Sequence, residues 1–197
     1  MATIDADAHV LEQPRTWEFM REHEQAYVPM IVTPVSGNQE IGPQGNVQQE
    51  YWVVDGRIHN KQINMGLDTT ADSREMRDIQ KRLDHMDELK VDVQVLYPTL
   101  FLRPITHRLE VEVALCRSYN RWLAEIWQVA PERLRWVVCP PLMSSMDIVR
   151  EEIAFGKENG ACGIFVRGLE CDRMLSDPYF YPLYELASEM DLPICMH

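Results

Sequence analysis

Asp5, Asp7 and His9 stand at alternate positions near the start of the chain. In a β-strand, positions i, i+2 and i+4 share a face, so a strand over Thr3 to His9 would line one side with two carboxyls and an imidazole. If helices cover such a strand, its polar groups must be paired or must bind something. A carboxylate and a neutral imidazole two residues apart can both reach one divalent cation. Imidazole suits zinc, and carboxylate oxygen suits zinc or manganese. The competing reading of this D-x-D-x-H pattern is a hydrogen-bonded cluster that holds no metal. His197 follows an apolar run, LPICM, that reads as a strand. Sites in parallel α/β proteins sit at the carboxyl ends of strands, so the fold would bring His9 and His197 to the same rim. A structural histidine is the alternative at position 197. Arg167 ends the run IFVR. It is the candidate substrate-binding residue, because guanidinium grips a carboxylate with two parallel hydrogen bonds. Its alternative is an ion pair with Asp172, Asp177 or another acid of the rim. His23, His59, His85 and His107 lack ligand spacing and read as structural or solvated.

The elements that must position these groups follow from periodicity. After the first strand, residues 29–64 are rich in turn signals. Asp55-Gly56 lies between apolar runs there, as in a type I′ hairpin. Met76, Ile79, Leu83, Met86 and Leu89 recur at helical spacing, with Asp72 or Ser73 as the expected cap. Val111, Leu115, Tyr119, Trp122 and Ile126 form the stripe of a helix running from about Leu109 to Ala130, stopped by Pro131. A third helix spans 145–159, closed by Asn159-Gly160, and a fourth starts at Pro178. Strands are expected near 3–8, 91–97, 134–139, 162–167 and 192–197. Three of these, VDVQVLY, LRWVVCP and LPICMH, are mostly apolar, as strands covered on both faces should be. Alternating strands and helices predict a parallel sheet in chain order, with 29–64 as an inserted hairpin region.

Composition bounds the function. The 197 residues are 46% hydrophobic and 25% charged, so a sizeable core is available. A formal net charge of −12, from 19 Lys+Arg against 31 Asp+Glu, argues against nucleic acid or anionic membrane as partner. No run is long and apolar enough for a transmembrane helix, and MATIDADAHV has no secretory pattern, so the cytoplasm is the expected compartment. The five cysteines are scattered with no C-x-x-C pair, which fits free thiols. G-x-G-x-x-G, the P-loop pattern and G-x-S-x-G are all absent.

Four segments in order carry a family resemblance: IDADAHVLE, MDELKVDVQVLYPT, YNRWLAEIW followed by PERLRWVVCPPL, and LSDPYFYPLYELASEMDLPICMH. The sequence resembles the amidohydrolase superfamily, in particular the type 2 amidohydrolases related to aminocarboxymuconate-semialdehyde decarboxylase. The resemblance implies a distorted (βα)8 TIM barrel with a metal at the carboxyl ends of the strands. It also implies a metal-dependent hydrolase or carboxy-lyase acting on a small, cyclic or carboxylate-bearing substrate. Where the family usually has His-x-His, this chain has Asp7 and His9. The family's ligand at the end of the fifth strand matches His197, so the resemblance implies Asp7, His9 and His197 as metal ligands. The family's water-activating His and last Asp ligand have no counterpart here, so catalytic residues are expected beyond position 197. Zinc is the first expectation, with manganese or iron as alternatives. A full barrel takes about 250 residues, and only five strands are expected here. The chain therefore reads as the first part of a barrel. Alone it is expected to lack turnover and to need a further polypeptide or a second copy in a homo-oligomer. The rival is a non-catalytic half-barrel or subunit.

Overall fold

The computed structural model describes residues 1–34, 39–42, 45–61 and 69–197. Strand β1 (Ile4–His9) leads into an excursion of short antiparallel strands, β2 (Met30–Val32), β3 (Gln39–Gly42), β4 (Gly45–Gln48), β5 (Tyr51–Val54) and β6 (Arg57–Asn60). Helices α1 (Ala71–Arg74) and α2 (Ile79–Glu88) precede β7 (Val93–Tyr97). Helix α3 (Leu109–Val129) leads to β8 (Leu134–Val138), and α4 (Met146–Glu158) to β9 (Ala161–Val166). The two-residue strands β10 (Leu169–Glu170) and β11 (Arg173–Met174) then precede α5 (Tyr181–Glu189) and β12 (Ile194–Met196).

The five long-range strands form one parallel sheet in the order β1-β7-β8-β9-β12, curled into a half-barrel. That is the expected order. Right-handed crossovers between successive parallel strands make this order the default. Val111, Leu115, Tyr119, Trp122 and Ile126 of α3 are all buried, as their spacing predicts. So are Trp17, Trp52 and Trp136, and the Trp17 and Trp52 rings meet edge to face at 5.9 Å, tying the excursion to the segment after β1. Asp55 and Gly56 both have positive φ, 48° and 74°, at the β5–β6 turn, as a type I′ hairpin requires. The parts of the expected 29–64 insertion at 35–38, 43–44 and 62–64 lie outside the described residues.

Two local expectations need correction. The helix expected from 72 to 89 is two helices. Thr70 rather than Asp72 or Ser73 caps α1, accepting from the Ser73 amide, and Asp78 caps α2, accepting from the Lys81 amide. Between them Met76 takes a left-handed φ of 53° with its side chain buried. The break points the Glu75 carboxylate at the buried Lys61 ammonium, 2.7 Å away. The second correction concerns β1. Its pairing with β7 shifts between Asp5 and Ala8. A bulge of this kind sets two residues against one and resets the alternation. Asp5 therefore turns away from His9, and its carboxylate accepts from the Gln94 amide at 3.0 Å, which in turn is held by Arg82 of α2.

Candidate functional site

The carboxyl ends of β1 and β7 are stitched together. The Val10 amide donates to the Tyr97 carbonyl, and the Thr99 hydroxyl donates to the Val10 carbonyl at 2.7 Å. The buried Glu12 carboxyl accepts from the amides of Thr99 and Leu100 at 3.1 and 2.9 Å, fixing the turn after β7. That turn presents the Pro98 carbonyl to His9 Nδ1 at 2.9 Å. A carbonyl can only accept, so Nδ1 carries the hydrogen and Nε2 carries the lone pair. Burial, chiefly, holds the His9 imidazole below its ordinary pKa, with the Pro98 carbonyl opposing and His197 reinforcing the shift. The ring is accordingly neutral at neutral pH.

At the far edge of the sheet, the His197 amide donates to the Val166 carbonyl and continues the β12–β9 ladder. Its ring stands edge-on to His9, centroids 4.8 Å apart. The two Nε2 atoms are 3.0 Å apart. Asp7 Oδ1 lies 3.1 Å from His197 Nε2 and 3.6 Å from His9 Nε2. A tetrahedral cation with ligand distances of about 2.1 Å separates its ligand atoms by about 3.4 Å. The three separations bracket that value, and the donor set of two imidazoles and a carboxylate suits zinc or manganese. Among the described residues this is the one group of three or more His, Cys, Asp or Glu side chains whose ligand atoms converge.

Arg167 stands beside His197 on the neighbouring strand, one residue past the Val166–Met196 pair. Its guanidinium is occupied. Nε and Nη2 donate to the two Glu170 oxygens at 2.9 and 2.5 Å, and Nη1 donates to the Phe101 carbonyl at 3.3 Å. The partner acid is thus Glu170, not Asp172 or Asp177. Asn120 of α3 fixes the neighbouring strand end, exchanging hydrogen bonds with both the amide and the carbonyl of Cys139. All five cysteines are free thiols. The sequence reading missed Glu12, Glu112 and Glu170. For Glu112 a signal existed: it shares a helical face with Cys116 and Tyr119, both buried.

The family model described as Amidohydrolase matches residues 4–197. The chain belongs to the amidohydrolase family. Among solved structures, an amidohydrolase from Mycobacterium avium subsp. paratuberculosis K-10 is 17% identical with a TM-score of 0.73, over 100% of this chain and 58% of that one. The 2,6-dihydroxybenzoate decarboxylase from Rhizobium is 17% identical with a TM-score of 0.57, over 100% of this chain and 50% of that one. A 5-carboxyvanillate decarboxylase from Novosphingobium aromaticivorans, solved with bound manganese, is 25% identical with a TM-score of 0.54, over 59% of this chain and 34% of that one. No curated protein matches. This amidohydrolase chain thus spans about half the length of the solved structures it resembles over its whole length. Among its described residues no helix is long and apolar enough to cross a membrane.

Proposed function

We propose that the protein is a metal-dependent enzyme of the amidohydrolase superfamily, holding one divalent cation between Asp7, His9 and His197. It would act on a small organic substrate, cyclic or carboxylate-bearing, by hydrolysis or non-oxidative decarboxylation. The observation that carries the reading is the convergence of His9 Nε2, His197 Nε2 and Asp7 Oδ1 at 3.0–3.6 Å, with the His9 lone pair aimed inward by the Pro98 contact. A bound cation supplies Lewis acidity toward the scissile group. The chain's own part is to hold two imidazoles and a carboxyl group in place and to position substrate at the mouth of the half-barrel, where Arg167 forms part of the wall. Zinc is the favoured ion. Manganese is supported by the manganese bound in the 25%-identical decarboxylase, and iron remains a third option.

The test is metal analysis of the purified chain beside His9→Ala and His197→Ala. The wild type should carry close to one divalent ion and each variant much less. Equal metal content in all three would mean that the cluster is a hydrogen-bonded group, with His197 donating to its neighbours.

A second reading, a non-catalytic half-barrel that needs a further polypeptide or a second copy, is favoured by the coverage of 58% and 50% in the matched structures. Turnover by the chain alone separates the two. Small-molecule substrate and soluble cytoplasmic residence belong to the first reading.

A further inference from the structure

A pocket opens on the same rim, between the loop after β7, the start of α3 and the ends of β8 and β9. Its cavity is about 40 Å³. A water needs roughly 10–15 Å³ in this measure, so the cavity admits a functional group of two or three heavy atoms, with the rest of a ligand outside. Phe101, Leu142 and Phe165 give it apolar walls, and Glu112, Arg167 and Glu170 give it polar ones. It adjoins the candidate metal cluster through one ring. Tyr97 lies 5.7 Å from the His197 ring and 6.3 Å from that of Phe165.

The polar wall is unbalanced. Arg167 directs three of its five donors to Glu170 and the Phe101 carbonyl. Glu112 is only 8% exposed. Its Oε2 accepts from the Met143 amide at 3.0 Å, and the residue lines the pocket. Burial pushes its pKa up to about 7, with Glu170 adding to the shift and Arg167 opposing it. An entering carboxylate would meet two acids and a guanidinium whose charge is already paired with Glu170. An entering N–H or O–H would find a carboxyl acceptor in the wall of a mostly apolar pocket, where competition from water is reduced.

We propose that this pocket binds the hydrogen-bond-donating end, an amine in the first place or a hydroxyl, of a small molecule with an apolar body, and that Glu112 is the residue that recognises it. Resting on the function proposed above, this end is the part of the substrate remote from the metal cluster, and it is not a second carboxylate.

The probes are benzylamine, benzyl alcohol and benzoate, titrated into the whole chain and followed by proton–nitrogen NMR at the Met143 amide. Benzylamine should give a saturable shift there. Benzyl alcohol should bind more weakly, and benzoate weaker than benzylamine by at least about tenfold, the scale of one charge-assisted hydrogen bond. Glu112→Gln should weaken benzylamine by roughly the same factor. Benzoate binding as tightly as benzylamine, the absence of a saturable Met143 shift with benzylamine, or an unchanged affinity in a folded Glu112→Gln chain would each overturn the proposal. If that variant fails to fold, the ranking of the three probes on the wild type decides. The same titration on His9→Ala separates this inference from the function it rests on. Benzylamine binding that survives loss of the metal site supports the pocket whatever becomes of the metal, and failed binding beside normal metal content removes the pocket alone.

Discussion

The Nε2 atoms of His9 and His197 stand 3.0 Å apart although 188 positions separate the two residues. His9 ends one edge strand of the sheet β1-β7-β8-β9-β12 and His197 follows the other. In a flat sheet those edges would be four strand spacings apart, about 19 Å. The contact therefore measures how far the sheet curls, and the curl is what converts a dispersed set of side chains into a cluster. A bulge sets the membership of the cluster: Asp7 and His9 share a face as i and i+2, while the shift between Asp5 and Ala8 takes Asp5 out of that alternation and onto Gln94.

Asp7 gives the cluster its oxygen donor. Replacing it by histidine would make three imidazoles, a softer set that favours zinc over manganese. Asp7→His should raise the ratio of zinc to manganese affinity by about tenfold or more. Calorimetric titration with each metal measures that ratio, and an unchanged ratio would place Asp7 outside the ion's reach.

Two buried carboxyls predict a pH dependence of stability. Burial, the largest cause for each, raises Glu12 and Glu112 to about 7 from the ordinary glutamate value of 4.5. Between those values the folded chain keeps protons that the unfolded chain has lost, so stability falls as pH rises through the window and levels off above about 7. For the fully buried Glu12 the change is on the order of 3 kcal/mol. Urea unfolding from pH 4.5 to 7.5 should show the decline, and Glu12→Gln should flatten part of it. A rise in stability over the same range would show that the amides of Thr99 and Leu100 hold Glu12 ionised.

The sheet order was legible because each strand is a short apolar run set between helix signals, and because the crossover rule leaves one arrangement. Asn159-Gly160 was legible as a helix end for a local reason, the left-handed φ of 85° that glycine accepts. The bulge in β1 was not legible. It depends on how Ala8 and His9 register against Leu96 and Tyr97, and D-x-D-x-H alone reads as an unbroken alternation. Nor was the break at Met76, which answers to Lys61, a residue outside the helix that is brought near by the fold and not by helical phase. Arg167 was visible as a rim cation, but its partner was not, because Glu170 reaches it only through the tight turn after β9.

Gly160 offers a sharp test of packing. A Cβ built there would lie 2.1 Å from the Trp127 ring, and the backbone has a positive φ. Gly160→Ala therefore meets both a steric clash and an unfavourable φ, and should destabilise the chain by about 2–4 kcal/mol. Thermal or denaturant unfolding gives the value. A loss under about 1 kcal/mol would mean that Trp127 swings aside at little cost.

Lys61 tests how the excursion is anchored. Its side chain is 1% exposed, and its ammonium sits 2.7 Å from both Glu50 and Glu75. Glu75 is itself buried and also meets Arg77 at the surface. Its backbone carbonyl accepts from the Gln13 amide, so the group links the β5–β6 hairpin to the segment that leaves β1 toward the rim. Removing one member of a buried ion pair leaves the other charge desolvated, at a cost of about 3–5 kcal/mol. Lys61→Met should reach that range, and Lys61→Met combined with Glu75→Gln should recover part of it, because the second change removes the stranded charge. If both single variants cost less than about 1 kcal/mol, Arg77 and water suffice for Glu75 and the anchor lies in the Trp17–Trp52 contact instead. If the single losses are large and simply add, each side chain acts through its own packing, and the pairing contributes nothing to how the hairpin is held.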